Sequence, residues 1–75
     1  MENERKVNFA KNLRVLMAEH NTKPKELAKY LGVAPYAVSS WRIGRVKPKN
    51  YEMVGKIADY FGVTIDVLFY GRKYQ

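Results

Sequence analysis

"ELAKYLGVAPYAVSSWRIG", Glu26 to Gly44, is the stretch that decides the fold. Leu27, Ala28 and Leu31 share one side of a helix, because residues three and four apart lie on the same face. Gly32 ends that helix, since glycine takes the left-handed conformation that closes a helical C-terminus without steric cost. After Val33 and Ala34, Pro35 suits the first position of a new helix, where no backbone donor is needed. At 100° per residue, Ala34, Ala37, Val38 and Trp41 fall inward, while Tyr36, Ser39, Ser40 and Ile43 fall outward. Gly44 closes the helix. The stretch therefore predicts helices over 24–31 and 35–43, joined by a short turn that contains glycine.

Upstream, Phe9, Leu13, Leu16 and Met17 follow helical spacing and predict a first helix over 5–20. Asn21, Thr22, Lys23 and Pro24 interrupt it, with Thr22 or Lys23 as the cap of the next helix. Downstream, "RVKPKN" is a loop in which Pro48 bars helix continuation. Val54, Ile57, Ala58 and Phe61 then form the inward face of a fourth helix over 50–61, ended by Gly62. Thr64 caps a last helix over 65–70, with Asp66 near its positive end and Leu68 and Phe69 as anchors. The tail, 71–75, is expected to be loose or used by a partner. No run alternates at period two long enough to make a strand. The expected fold is all-α, a five-helix bundle forming one domain over 1–75.

A chain of 75 residues builds one small core, burying only about 60% of the surface it exposes when unfolded. Its 47% hydrophobic content, with six tyrosines, three phenylalanines and one tryptophan, is too high for a disordered chain. Without cysteine there is no disulfide and no thiolate metal site, so packing must hold the domain. His20 alone makes no metal site, and at the end of the first helix it is a favourable helix-end residue. Trp41 lies beside Val38 at stripe spacing and reads as core. Ser39 and Ser40 have no base or carboxylate in register, so no nucleophile is activated and no enzyme is expected. The sequence predicts no cofactor and no small-molecule ligand. Neither a signal peptide nor an apolar run long enough for a bilayer is evident, so no membrane partner is expected and the cytoplasm is the expected location.

The net charge of +7 is concentrated. Residues 22–49 hold Lys23, Lys25, Lys29, Arg42, Arg45, Lys47 and Lys49 against Glu26 alone, a net of +6. Residues 1–21 contribute +1, and residues 50–75 contribute 0. Such a distribution points to a surface that meets a polyanion. Helix N-termini offer free backbone donors to phosphates, and Lys23 and Lys25 reinforce the start of the second helix. Arg45, Lys47 and Lys49 follow the third helix and would grip a backbone beside a groove. Contacts of that kind position a protein without reading sequence.

Two short helices about a glycine-containing turn make a helix-turn-helix, whose second helix normally enters the major groove of DNA. The chain resembles one family with this unit, the phage repressor, Cro-like or xenobiotic-response-element regulators. The resemblance rests on Leu27-Ala28, Leu31-Gly32-Val33, Val38, Trp41, Gly44, Pro48, Ile57-Ala58 and "FGVTIDVLF", and spans about Val7 to Phe69. It implies a lambda repressor-like domain, prokaryotic or phage-encoded, that binds double-stranded DNA as a homodimer and regulates transcription by repression. Phe69, Tyr70 and Tyr74 are candidates for the dimer surface. Two departures stand out. Pro24 occupies the region where the family usually has a phosphate-holding glutamine, and Met17 and Arg42 align with an arginine and glutamate pair that often ties the first helix to the third. The stem of Arg42 is then expected to cover Met17 while its guanidinium reaches solvent or a phosphate.

The expected base-facing residues are Pro35, Tyr36, Ser39, Ser40 and Arg45, with methyl contacts from Ala34 and Ile43. The expected phosphate-facing residues are Lys23, Lys25, Arg42, Lys47 and Lys49. Serines and methyl groups discriminate bases less sharply than bidentate side chains, so direct reading is expected to be weak. Arg45 is an alternative reader, toward a guanine or a narrow minor groove. Two other readings remain open: a protein-interaction module of antitoxin or antirepressor type that keeps the fold without reading bases, and architectural or RNA binding through charge alone.

Overall fold

The computed structural model describes residues 8–71, which form five helices in chain order: α1 (Phe9–Glu19), α2 (Pro24–Leu31), α3 (Pro35–Ile43), α4 (Tyr51–Phe61) and α5 (Ile65–Tyr70). No strand occurs among the described residues. The all-α bundle expected from periodicity is the fold observed.

Most boundaries follow from caps visible in the sequence. Asn50 and Thr64 turn their side-chain oxygens onto the backbone N–H groups of Met53 and Val67, supplying acceptors that α4 and α5 lack at their starts. Pro35 begins α3 as expected. Gly44 sits in the left-handed region at φ 82° and permits a paired closure of α3. Arg45 N–H donates to the Ser40 carbonyl and Gly44 N–H to the Trp41 carbonyl, at 3.0 and 3.2 Å. The same pairing closes α4 at Gly62, whereas at the end of α2 Gly32 N–H and Val33 N–H both donate to the Ala28 carbonyl. At the end of α1 the pairing recurs on Asn21, whose φ of 56° makes it the one non-glycine residue in that region among those described.

The first helix departs from expectation. It starts at Phe9 instead of near Arg5, because the Asn8 side chain accepts from Lys11 N–H and caps it there, with non-helical backbone at φ −143°. Residues 5–7 of the expected helix lie outside the described residues, as do 72–75 of the tail.

The core takes one face from every helix. Phe9, Leu13, Leu16 and Met17 of α1 meet Leu27, Ala28 and Leu31 of α2, Val38 and Trp41 of α3, Val54, Ile57, Ala58 and Phe61 of α4, and Leu68 of α5. Leu13, Leu27, Val38, Ile57 and Leu68 have no exposed surface at all. Each such side chain contributes about 1.5–3 kcal/mol through apolar burial, the dominant favourable term in a chain without disulfides. Polar ties fix α5 against α1: Asn12 Nδ2 donates to the Leu68 carbonyl at 2.8 Å, and Asn8 N–H to the Phe69 carbonyl at 2.9 Å.

Candidate nucleic-acid interface

The third helix is held on two flanks, and what lies between them is its free strip. On one flank, Arg42 meets α1 and the α1–α2 turn in a shallow depression with Arg14, Met17, Asn21 and Thr22. Arg14 Nη1 donates to the Arg42 carbonyl at 2.6 Å, satisfying one of the terminal carbonyls that α3 cannot bond internally. Arg42 is half-buried, and its Nε has no hydrogen-bond partner among the described residues. Arg42 and Met17 line the same depression, as a stem lying over Met17 requires, whereas the buried Nε does not reach solvent or a phosphate as the guanidinium was expected to.

On the other flank the loop after Gly44 folds back on the helix. Ser40, expected on the outward face, is 3% exposed. The wheel misplaces it because helical spacing registers only the helix axis, whereas the loop 45–50 and Met53 of α4 cover this side of α3. Ser40 therefore cannot face a base without repacking. Ala34, expected inward, is exposed at the N-cap of α3.

The remaining outward set is Pro35, Tyr36, Ser39 and Ile43. Tyr36 and Ile43 are 70% and 62% exposed and, seven residues apart, lie on the same side of α3. Pro35 is also exposed, whereas Ser39 is half-buried. The strip is a shape for contacts with base methyl groups and edges more than for bidentate hydrogen bonding.

The cations separate into groups. Arg45, Lys47 and Lys49 are exposed and gather with Tyr36 around one cavity beside α3. Arg42 lies on the opposite flank, against the turn that leads to Lys23. Lys23 and Lys25 are exposed at the start of α2, where the Glu26 carboxylate accepts from Lys23 N–H at 2.8 Å. Thus Glu26, the sole acid in the basic middle segment, is engaged in capping its own helix. Cations flank the free strip on both sides. Arg14 was missed by sequence reasoning, since a contact 28 residues distant leaves no periodic signal.

Around α5, Phe69 is partly buried against Phe9, with ring centroids 6.4 Å apart, and Tyr70 is 39% exposed. Tyr74, the third residue expected at a dimer surface, lies outside the described residues. No group of histidine, cysteine, aspartate or glutamate able to hold a metal occurs among the described residues. No described helix is long and apolar enough to cross a membrane.

Comparison with known proteins agrees with this geometry. Residues 12–70 match the model of the Cro/C1-type HTH DNA-binding domain. A transcriptional regulator from Listeria innocua superposes with a TM-score of 0.79 at 33% identity, over 93% of this chain and 64% of that regulator. This chain thus spans somewhat under two thirds of that protein's length. The SOS-response transcriptional repressor LexA from Eubacterium rectale gives 0.79 at 30% identity, over 89% of this chain and 70% of that one. The P22 c2 repressor, solved in complex with a synthetic operator, gives 0.77 at 22% identity over 85% and 96% of the two chains, a likeness of fold. No curated protein matches by sequence.

Proposed function

We propose that this chain, which belongs to the Cro/C1-type family of helix-turn-helix DNA-binding domains and is not an enzyme, is a sequence-specific, double-stranded DNA-binding transcription regulator that acts by repression. The observation that carries this reading is the free strip of α3, Pro35, Tyr36, Ser39 and Ile43, bare between two flanks that carry the chain's excess positive charge. In this reading α3 enters the major groove, with Tyr36 and Ser39 toward base edges and Pro35 and Ile43 toward thymine methyl groups. Lys23, Lys25 and Arg42 grip phosphates on one side, and Lys47 and Lys49 on the other. The P22 c2 repressor was solved on an operator, which supports the same partner for this fold. A homodimer places two copies of α3 in successive major grooves, about 34 Å apart. The protein, prokaryotic or phage-encoded, acts in the cytoplasm.

Selection from a random duplex pool, followed by affinity measurement against salt, tests the reading. The expected result is a recovered palindrome and a log affinity that falls steeply with log salt, by about 0.9 for each phosphate contacted. A pool without recovered sequence would overturn base reading. Arg45→Ala separates the two roles of Arg45: loss confined to the selected site assigns it to a base, and equal loss on all duplexes to a phosphate.

The burial of Ser40 favours a second reading, an interaction module of antitoxin or antirepressor type that has kept the fold and lost base contact. That reading predicts no duplex binding even at low salt.

A further inference from the structure

Beside α3 the structure holds a cavity of about 450 Å³, within the size range of small-molecule sites. It is pinned at both ends of the loop that roofs it. Arg45 N–H donates to the Ser40 carbonyl at the start of the loop, and at its end the Asn50 side chain accepts from Met53 N–H at 2.8 Å. Between these ties the loop contributes Arg45, Val46, Lys47 and Lys49 to the lining. Val33, Ala37, Trp41 and Met53 make an apolar floor that continues into the core. Arg45, Lys47 and Lys49 form the rim, and no carboxylate lines the cavity. Glu52, exposed in the first turn of α4, is not part of the lining.

We propose that this cavity binds a small amphipathic organic anion, a carboxylate on a short alkyl or aromatic body, and that its occupancy opposes DNA binding. The body lies on the floor, where burial of apolar surface supplies the affinity. The carboxylate meets the cationic rim, which selects an acid over a neutral molecule of the same shape. The coupling to DNA rests on the proposed role of α3 and the loop. Tyr36 and the three rim cations belong both to the cavity and to the candidate DNA face, so a bound carboxylate withdraws cations from phosphates.

Trp41, the sole tryptophan, lines the floor and reports binding directly by its fluorescence. Octanoate is the probe, octanol supplies the same body without charge, and acetate supplies the charge without the body. Octanoate should change the emission saturably and at lower concentration than octanol, while acetate should leave it unchanged. Lys47→Gln with Lys49→Gln should weaken octanoate by roughly two- to fivefold per cation and leave octanol unaltered. Ala37→Leu, which fills the floor, should abolish both if its helical circular dichroism is retained; if it does not fold, the lysine variants decide. An unsaturable response, equal affinity for octanol and octanoate, or indifference of octanoate to the lysine variants overturns the site.

For the coupling, saturating octanoate should make the salt slope of duplex affinity shallower by about one, against acetate at equal sodium concentration. An unchanged slope overturns the coupling alone. Failure to bind any duplex overturns the DNA-reading proposal, and the fluorescence titration still decides the cavity.

Discussion

Arg42→Met should make the domain more stable and its grip on DNA weaker. The Nε of Arg42 is buried without a partner among the described residues, and an unmade buried hydrogen bond costs about 1–3 kcal/mol. Methionine keeps an unbranched stem to cover Met17 and removes the orphaned donor. Against that gain stands one loss. Arg42 lies in the last turn of α3, where a cation favours the helix dipole by about 0.3–1 kcal/mol. The tie from Arg14 survives, because it ends on the backbone carbonyl of Arg42 and not on its side chain. The balance is about 1 kcal/mol in favour of the variant, which for a domain of this size raises Tm by about 4–8 °C. Calorimetry or a circular dichroism melt reads the first effect. Duplex affinity against salt reads the second: the loss should be uniform across sequences and the slope shallower by about one. A variant that melts lower would refute the claim that the buried Nε is a net cost, and unchanged DNA affinity would remove Arg42 from the phosphate contacts.

Tyr36→Ala should lower affinity for a selected site by about 0.5–1.5 kcal/mol, the worth of a single hydrogen bond, and for random duplex far less, because its exposed ring lies on the free strip; equal losses on both duplexes in a competition assay would show that it reads nothing. Ser40→Ala should leave selected-site affinity within about twofold, since a buried hydroxyl has no route to a base; a tenfold loss would restore Ser40 to the interface. Asn12→Ala should cost about 1–2 kcal/mol by leaving the Leu68 carbonyl unsatisfied, and amide exchange in α5 should accelerate before that in α2 or α4; uniform acceleration would show that this bond does not govern α5 alone.

The residues that made the fold legible are those with a single local meaning. Gly32, Gly44 and Gly62 mark left-handed closures, Pro35 and Thr64 mark starts, and spacing of three and four picks the inward faces. Each signal is complete within one turn of helix, so no tertiary knowledge is needed. Where a neighbour decided the outcome, the sequence was silent. Ser40 is buried by a loop that has no periodicity, and Arg14 reaches the Arg42 carbonyl across 28 residues. Asn8 shortened α1 because a competent cap sits inside a segment whose charged and apolar alternation continues past it. The cavity beside α3 was equally hidden: Ala37 and Trp41 read as core, Val33 and Met53 drew no such reading, and only the path of a loop without periodicity sets all four around one cavity.

The burial of Ser40 changes how affinity and specificity should divide on this surface. With Ser40 withdrawn, the strip presents one phenol, one half-buried serine and two apolar groups, none of which makes the bidentate contact that discriminates a base by about 1–3 kcal/mol. The cations were untouched by that correction, since Lys23, Lys25, Lys47 and Lys49 remain exposed. Grip is therefore retained while reading is reduced. The same cations grip any duplex and the contribution of the strip hardly depends on salt, so selected-site and random affinity should fall with the same slope of log affinity against log salt. The ratio of selected-site to random affinity should accordingly stay constant between low and physiological salt. A ratio that rises with salt would mean that the selected site engages fewer phosphates than random duplex, and reading would then be coupled to a change in grip.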